Sequence, residues 1–374
     1  MQSLLNITSD FQIVGEVTSV MAYGSGNIND SYLVTTNCPQ QKKYILQKIN
    51  AHVFLKPDLL MQNICTVTEH IENKLGDSHK WQVFSVVKTK NCDGFHVSKD
   101  GSHWRLISFI EDSESFDVIQ SDEQAFKLGS ALGLFHSLVS DLPACKLATV
   151  LEGFHITPSY LKHYDQVNNN VSPSSEESFK TAQLKTYAFN FISNNRCNAS
   201  ILETAKKDKI LSLQIMHGDP KINNVMFHKS TGDAISIIDL DTVEPGLVHY
   251  DIGDCIRSSC NKLGEEAGDQ WLDVYFDIDK FSCILKGYIS EAKSFLTTDD
   301  YQYIYHAIFI ITFELGLRFF TDYLEGNCYF SKIDHQEQNL YRGLTQFKLA
   351  ESIQINRVKI EKIIQQLYKE ALAG

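Results

Sequence analysis

The chain has 374 residues, long enough for two lobes that each bury a core. Its 43% hydrophobic and 21% charged residues are those of an ordinary globular protein, and a formal net charge of −12 with no Lys/Arg-rich block argues against a nucleic-acid partner. The opening MQSLLNITSDF has no basic region followed by a long apolar stretch and so does not read as a secretory signal. Nine scattered cysteines without a C-x-x-C pair suggest reduced thiols in a cytoplasmic protein, not a disulfide framework or a zinc site.

Residues 11 to 110 read as strand-rich. The runs FQIVGEVTSVMAYG, NDSYLVTT, KKYILQKIN, WQVFSVVKTK and HWRLISFI carry β-branched and aromatic residues, with Gly, Asn and Asp turns between them. Between the third and fourth runs, Leu60, Ile64, Val67, Ile71 and Leu75 recur at spacings of three and four, which predicts one amphipathic helix ending at Gly76. Residues 113 to 120 read as a crossover, after which Ser121 and Gln124 form a capping box that opens a helix through FKLGSALGLFHSLV. The remainder is predicted mostly helical. Residues 168 to 178, NNNVSPSSEES, read as a polar loop, and NRVKIEKIIQQLYKEAL as a surface helix. The most apolar segment, residues 304 to 320, contains His306, Glu314 and Arg318 and is short for a membrane span, so a buried core helix is expected.

The chemistry concentrates in HGDPKINNVMF, residues 217 to 227, and in the run IIDL that ends in Asp239 and Asp241. The spacing H-x-D-x-K-x-x-N sets Asp219 to accept the proton of an attacking hydroxyl and Lys221 to reach a phosphoryl group in transfer. Asn224 offers magnesium a neutral oxygen, and Asp239, with Asp241 as the alternative, offers a charged one. Kinases share this skeleton, a catalytic-loop Asp with an Asn five residues on and then a metal Asp at a strand end. His, Asp and Asn also close ordinary turns, but the strand-like flanks LSLQIMH and AISIIDLD, with KSTGD as the turn, favour the functional reading.

Four further stretches are read beside this motif. Gly24 and Gly26, with Asn27, lie in a turn between two strands, where backbone amides can approach phosphate oxygens. On YILQKIN, strand alternation sends Gln47 and Lys48 to opposite faces; Lys48 is the chemically obvious phosphate partner and Glu69 on the following helix its counter-ion, but periodicity does not decide which residue faces the cleft. Asp251 and Asp254 could bind metal or substrate, yet capping and binding of backbone amides near the catalytic loop fit Asp better there. Glu314, Arg318 and Asp322 fall at i, i+4 and i+8 on one helix face. They are either an internal salt-bridge ladder, or they place Arg318, with Asp322 or Tyr323, against an acceptor.

With these residues in view, the sequence resembles the aminoglycoside phosphotransferase and choline kinase superfamily, a branch of the protein-kinase-like fold. Within that superfamily it looks most like the bacterial N-acetylhexosamine 1-kinase family, through YGSGNINDSYLV, ILQKIN, IDLDTVEPGLV and RFFTDYLEGNCYF, from about residue 22 to residue 345. The resemblance implies an α+β, two-lobed kinase, with a β-rich ATP-binding lobe at 1–112 and a helical catalytic lobe at 113–374. It implies ATP and Mg2+ as cofactors, and adenine against Phe109 and Ile110. Asp219 would be the base, Asn224 and Asp239 metal ligands, and Arg318 and its neighbours candidates for contact with a sugar phosphorylated at its anomeric hydroxyl. One departure is that many superfamily members carry a Lys or Arg where the Gln47–Lys48 pair leaves the phosphate partner open. A choline or aminoglycoside kinase and a nucleotide-binding pseudokinase are the competing readings. No nucleic-acid or membrane partner is expected, and monomer and homodimer are both left open.

Overall fold

The computed structural model describes residues 2–24, 28–39, 42–76, 81–170 and 178–373. Helix α1 (Gln2–Thr8) precedes strands β1 (Val17–Ala22), β2 (Asp30–Thr36) and β3 (Lys43–Ile49). Then come helix α2 (Pro57–Leu75), two short strands β4 (Val86–Val87) and β5 (His96–Val97), and β6 (His103–Ser108). These strands form one antiparallel sheet in the order β1-β2-β3-β6-β4, with β5 also on β6. Helix α2 has the predicted length and stops at Gly76, whose φ is 62°. The run WQVFSVVKTK yields only the two residues of β4, and residues 11–16 are reduced to a single bridge from Phe11 to Thr89.

Register decides which side chains share a face. Ser31, Gln47 and Arg105 stand opposite one another across β2, β3 and β6, as do Asp30, Lys48 and Trp104. The second row belongs to the outer face, where Val20, Val34, Tyr44, Leu46, Trp104 and Leu106 form a core covered by Leu4 and Leu5 of α1. The first row therefore faces the other way, towards the rest of the molecule.

Strand β7 (Ser113–Glu114) already pairs with β9 (Val225–His228), so the passage between the two sheets lies at Phe109–Asp112, ahead of the stretch expected from sequence. Helix α3 (Asp122–Val139) begins as predicted, with the Ser121 side chain accepting from the Gln124 amide. The Gln124 side-chain oxygen accepts instead from the Gln120 N–H, one residue before the cap. Helices α4 (Thr157–Asn170), α5 (Phe179–Asn195) and α6 (Ile201–Lys207) lead to β8 (Gln214–Met216), β9, β10 (Ala234–Ile237) and β11 (Glu244–Gly246). Helices α7 (Val248–Ser259), α8 (Ile278–Ala292), α9 (Thr298–Leu324), α10 (Gln338–Ile355) and α11 (Arg357–Ala373) complete the helical region. Residues 168–170 continue α4 instead of forming loop.

Helix α9 is long and apolar enough to cross a membrane by composition, but 83% of its apolar window is buried inside the protein, as expected of a core helix. One hydrophobic core runs from Leu60, Ile64, Val67 and Ile71 of α2 into α9 and α10. None of the nine cysteines is disulfide-bonded.

Helices α3 and α8 touch backbone to backbone. A Cβ on Gly129 would collide with the Ile284 carbonyl, and one on Gly287 with the Phe126 carbonyl. Because the obstacle is main chain, the helices must separate to admit a methyl group. Gly129→Ala is therefore expected to destabilise by about 1–3 kcal/mol despite its better helix propensity, read as a lowered melting temperature. An unchanged melt would show that the crossing can yield.

Candidate active site

The catalytic loop is built by burying its own backbone donors. Strand β8 delivers His217, fully buried, and the Asp251 carboxylate from α7 accepts both the His217 N–H (2.6 Å) and the Gly218 N–H (2.8 Å). Asp251 also meets His136 of α3 at 2.8 Å, so it fixes the loop and does not face a ligand, as the sequence suggested. Helix α7 gains no side-chain cap from it. The His217 Nδ1 accepts the Asp219 N–H (3.2 Å) and Nε2 donates to the Ile238 carbonyl (2.9 Å). Burial pushes this imidazole below its ordinary value, which matches the neutral tautomer those bonds require. Gly218 has φ +88°, and a Cβ there would lie 2.7 Å from Thr242, so only glycine brings the loop this close to the next strand end.

Asp219 and Lys221 form an ion pair at 2.8 Å, and the lysine is held further above its ordinary value by Asp219 first, against burial, with Glu265 and Asp254 adding. Asn224 donates its amide to the Asp219 carbonyl (2.7 Å), which leaves its oxygen as a free acceptor. The Ile238 N–H bonds the Asn224 carbonyl at 2.8 Å and so joins the loop to the strand that ends at Asp239.

The two strand-end carboxylates divide their work. Asp239 sits in the left-handed region (φ 64°), a strained backbone for aspartate, and no protein hydrogen bond or ion pair holds its carboxylate among the described residues. Solvent reaches it at the cleft floor. Even so, its pKa is pushed up to about 7 by desolvation and then by the charges of Asp241 and Asp219, against Arg105 and Lys221. Asp241 is buried, with its oxygens taken by Arg105 (2.5 Å) and by the Asn29 amide (2.5 Å). The expectation of Asp241 as a metal ligand is corrected accordingly: it is a tether between sheet and catalytic region. The remaining donor set, one Asn oxygen and one crowded, unpaired carboxylate, fits a hard dication. Among the described residues no cluster of three or more His, Cys, Asp or Glu is placed to hold a metal ion.

Lys48 and Glu69 are also corrected. Lys48 lies on the outer face over the Trp104 ring (6.0 Å), and Glu69 is exposed and paired with Lys88 at 3.8 Å. The buried cation beside Gln47 on the inner face is Arg105, whose Nε donates to the Gln47 oxygen (2.9 Å) while Gln47 donates to Ser31 (2.9 Å). The choice left open between Gln47 and Lys48 falls to Gln47 because Lys48 is in register with the outer core. Arg105 was missed; an arginine between Trp and Leu in an apolar strand is a signal, since a charge is buried only with a partner.

Gly24 has φ 78° in the β1–β2 turn, and Gly26 and Asn27 lie outside the described residues. Phe109 is half-buried on the inner-face row and meets Tyr23 edge to face at 5.9 Å. The Ile110 side chain is in the core, so only its backbone can border a ligand.

A cavity of about 700 Å³ is lined by Phe154, Tyr160, Arg318, Tyr329 and Phe330 among others. The Arg318 guanidinium stands 5.0–6.0 Å from the centres of those four rings and pairs with no carboxylate among the described residues. The expected ladder on α9 does not form. Glu314 is bound by His155 (3.1 Å) and Thr157 (2.7 Å). Asp322 accepts the Tyr329 and Phe330 amides (2.7 and 3.0 Å) and the Asn339 side chain (3.0 Å). Asp322 thus lines the cavity but is spent on backbone, and Tyr323 stacks on Phe320 and is not part of the cavity wall. Tyr329, only six residues further on, takes the place expected of Tyr323.

An antiparallel sheet facing a helical region, with Asp219, Lys221 and Asn224 on one loop and Asp239 at the next strand end, defines a kinase-like phosphotransferase. Residues 19–283 match the phosphotransferase enzyme family, and the chain belongs to that family. Among solved structures it is similar to a microcompartment-associated aminopropanol kinase (TM-score 0.62, 13% identity, 96% of this chain and 98% of that one). It is likewise similar to an aminoglycoside phosphotransferase from Alicyclobacillus acidocaldarius (0.62, 12%, 99% and 96%). A third likeness is to a spectinomycin phosphotransferase complexed with ADP and spectinomycin (0.57, 13%, 98% and 98%). At these identities the likeness establishes the fold.

Proposed function

We propose that the protein is an ATP- and magnesium-dependent kinase that phosphorylates the anomeric hydroxyl of an N-acetylhexosamine. The observation that carries the acceptor class is Arg318. Its guanidinium fills the aromatic enclosure that a quaternary ammonium or a polyamine would need, so a cationic acceptor meets repulsion there. A neutral, oxygen-rich ring suits the same walls: its C–H faces lie on aromatic rings while its hydroxyl or acetamido oxygens accept from the guanidinium. The motif resemblance to N-acetylhexosamine 1-kinases points the same way.

In this reading the adenine lies against Phe109 and the Ile110 backbone, and the glycine turn at Gly24 approaches the phosphates. Asn224 and Asp239 would hold the magnesium ion, which would supply charge neutralisation to the phosphates. Asp219 orients the attacking hydroxyl and accepts its proton. An anomeric hydroxyl is more acidic than an ordinary alcohol, so positioning contributes more than basicity. The thiols suit a reducing, cytoplasmic setting.

The direct test is ADP formation with N-acetylglucosamine, N-acetylgalactosamine, glucose, choline and an aminoglycoside. Turnover of an N-acetylhexosamine supports the reading; turnover of choline with none of the sugars overturns it. Arg318→Ala is expected to raise the KM for the sugar by about 10- to 100-fold, the worth of a charged hydrogen bond, with the KM for ATP little changed. If the variant melts normally and both KM values hold, the acceptor site is elsewhere.

A further inference from the structure

His155 is a buried histidine against the catalytic loop that the chemistry above leaves unused. It precedes α4 with φ +57°, a left-handed conformation that histidine adopts at a cost. Its ring is sealed between Phe154 (4.0 Å between centres) and Tyr250 (5.5 Å, stacked). Nδ1 lies 3.1 Å from a carboxylate oxygen of Glu314, and Nε2 lies 3.2 Å from the carbonyl oxygen of Gly218, the residue before Asp219. Both partners are pure acceptors, so both ring nitrogens must donate and the ring must carry two protons. The other Glu314 oxygen accepts from Thr157 (2.7 Å), which fixes the carboxylate in place.

We propose that His155 is a positioning residue, a buried imidazolium that braces the Gly218 carbonyl against Glu314 and thereby holds Asp219 at the angle its reaction needs. The brace joins the catalytic loop to α9 one turn before Arg318, so base and acceptor wall are set by one rigid link. The proposal rests on Asp219 acting on a hydroxyl but not on which acceptor carries it.

The groups facing His155 are Glu314 and Arg318 from α9, Asp254 and Tyr250 from α7, and Glu244 from β11. Burial opposes the charged ring, yet the Glu314 hydrogen bond and charge, with help from Asp254 and against Arg318, raise its pKa above the ordinary 6.5. The sign follows. A histidine raised in the folded state stabilises fully below its ordinary value, and that contribution is lost as pH rises through the raised value. Once neutral, one ring nitrogen turns a lone pair towards an acceptor, and the Gly218 carbonyl loses its anchor.

The test uses the full chain with isotope-labelled histidine, His155 being assigned from the spectrum of His155→Asn, a residue that tolerates the left-handed backbone. Both His155 nitrogens are expected to be protonated at neutral pH, and the Asp219 amide resonance should shift with the midpoint of the His155 titration. Glu314→Gln removes the facing charge and should lower that midpoint by about one unit or more, carrying the alkaline limb of kcat down with it. His155→Asn should lower kcat about 10- to 100-fold with the KM for ATP nearly unchanged, as expected when a reacting group is mispositioned. A His155 ring that is neutral at pH 7, or an Asp219 amide indifferent to its titration, overturns the proposal. If none of the acceptors above is turned over, the functional reading fails while the resonance titration still decides the brace.

Discussion

Asp219→Asn is expected to lower kcat about 100- to 10,000-fold while leaving ATP binding intact, because the substitution removes a proton acceptor and leaves the loop standing. The geometry explains the separation. The backbone of residue 219 holds His217 through its N–H (3.2 Å) and Asn224 through its carbonyl (2.7 Å), and neither bond depends on the carboxylate. Lys221 loses its 2.8 Å partner but remains in the field of Glu265 and Asp254, so it is not stranded. An asparagine fills the same volume and can still touch a hydroxyl, but it cannot take its proton. Turnover under saturating ATP and acceptor, beside nucleotide binding by calorimetry, reads both halves; a variant that turns over at nearly the wild-type rate would remove Asp219 from the chemistry.

Asp239→Ala is expected to abolish magnesium-supported activity in a protein that still folds, because its carboxylate has no partner to lose among the described residues. Asp241→Ala should behave differently. It leaves Arg105 buried without its 2.5 Å partner and is expected to cost about 3–5 kcal/mol of stability. Melting temperature against activity therefore separates ligand from tether, and a folded, active Asp239→Ala would show that the assignment is reversed. Asp239 also carries a pH signature. Its carboxyl is raised from 3.8 to about 7 in the fold, so between those values the native state binds more protons than the unfolded chain, and stability falls as pH rises. In metal-free buffer, Asp239→Asn should escape that fall and melt higher than the wild type above pH 7, with the difference vanishing near pH 4.

Much of this site could be read from the chain because it is local. His217, Asp219, Lys221 and Asn224 span eight residues, and short loops fix their members by spacing alone. The helix ending at Gly76 and the cap at Ser121 were legible for the same reason, since periodicity and capping act within a few residues. The departures at the site were of longer range. Lys48 and Gln47 look equivalent in sequence, and only pairing with Trp104 and Arg105, nearly sixty residues away, decides that the lysine faces outward. Glu69 satisfies a familiar pattern yet turns to Lys88. The spacing of Glu314, Arg318 and Asp322 correctly places them along one helix, but helical spacing cannot say that His155 and Thr157 claim the first and the Tyr329 and Phe330 amides the last.

The sequence by itself thus determined that Asp219, Lys221 and Asn224 share one short loop, because contiguous backbone fixes their spacing. Only the tertiary structure decided which charges are left unpaired. A charge is neutralised by whatever packing brings within a few ångströms, and here those partners come from other elements: Asn29 and Arg105 close off Asp241, no described residue closes off Asp239, and four aromatic rings in place of a carboxylate surround Arg318.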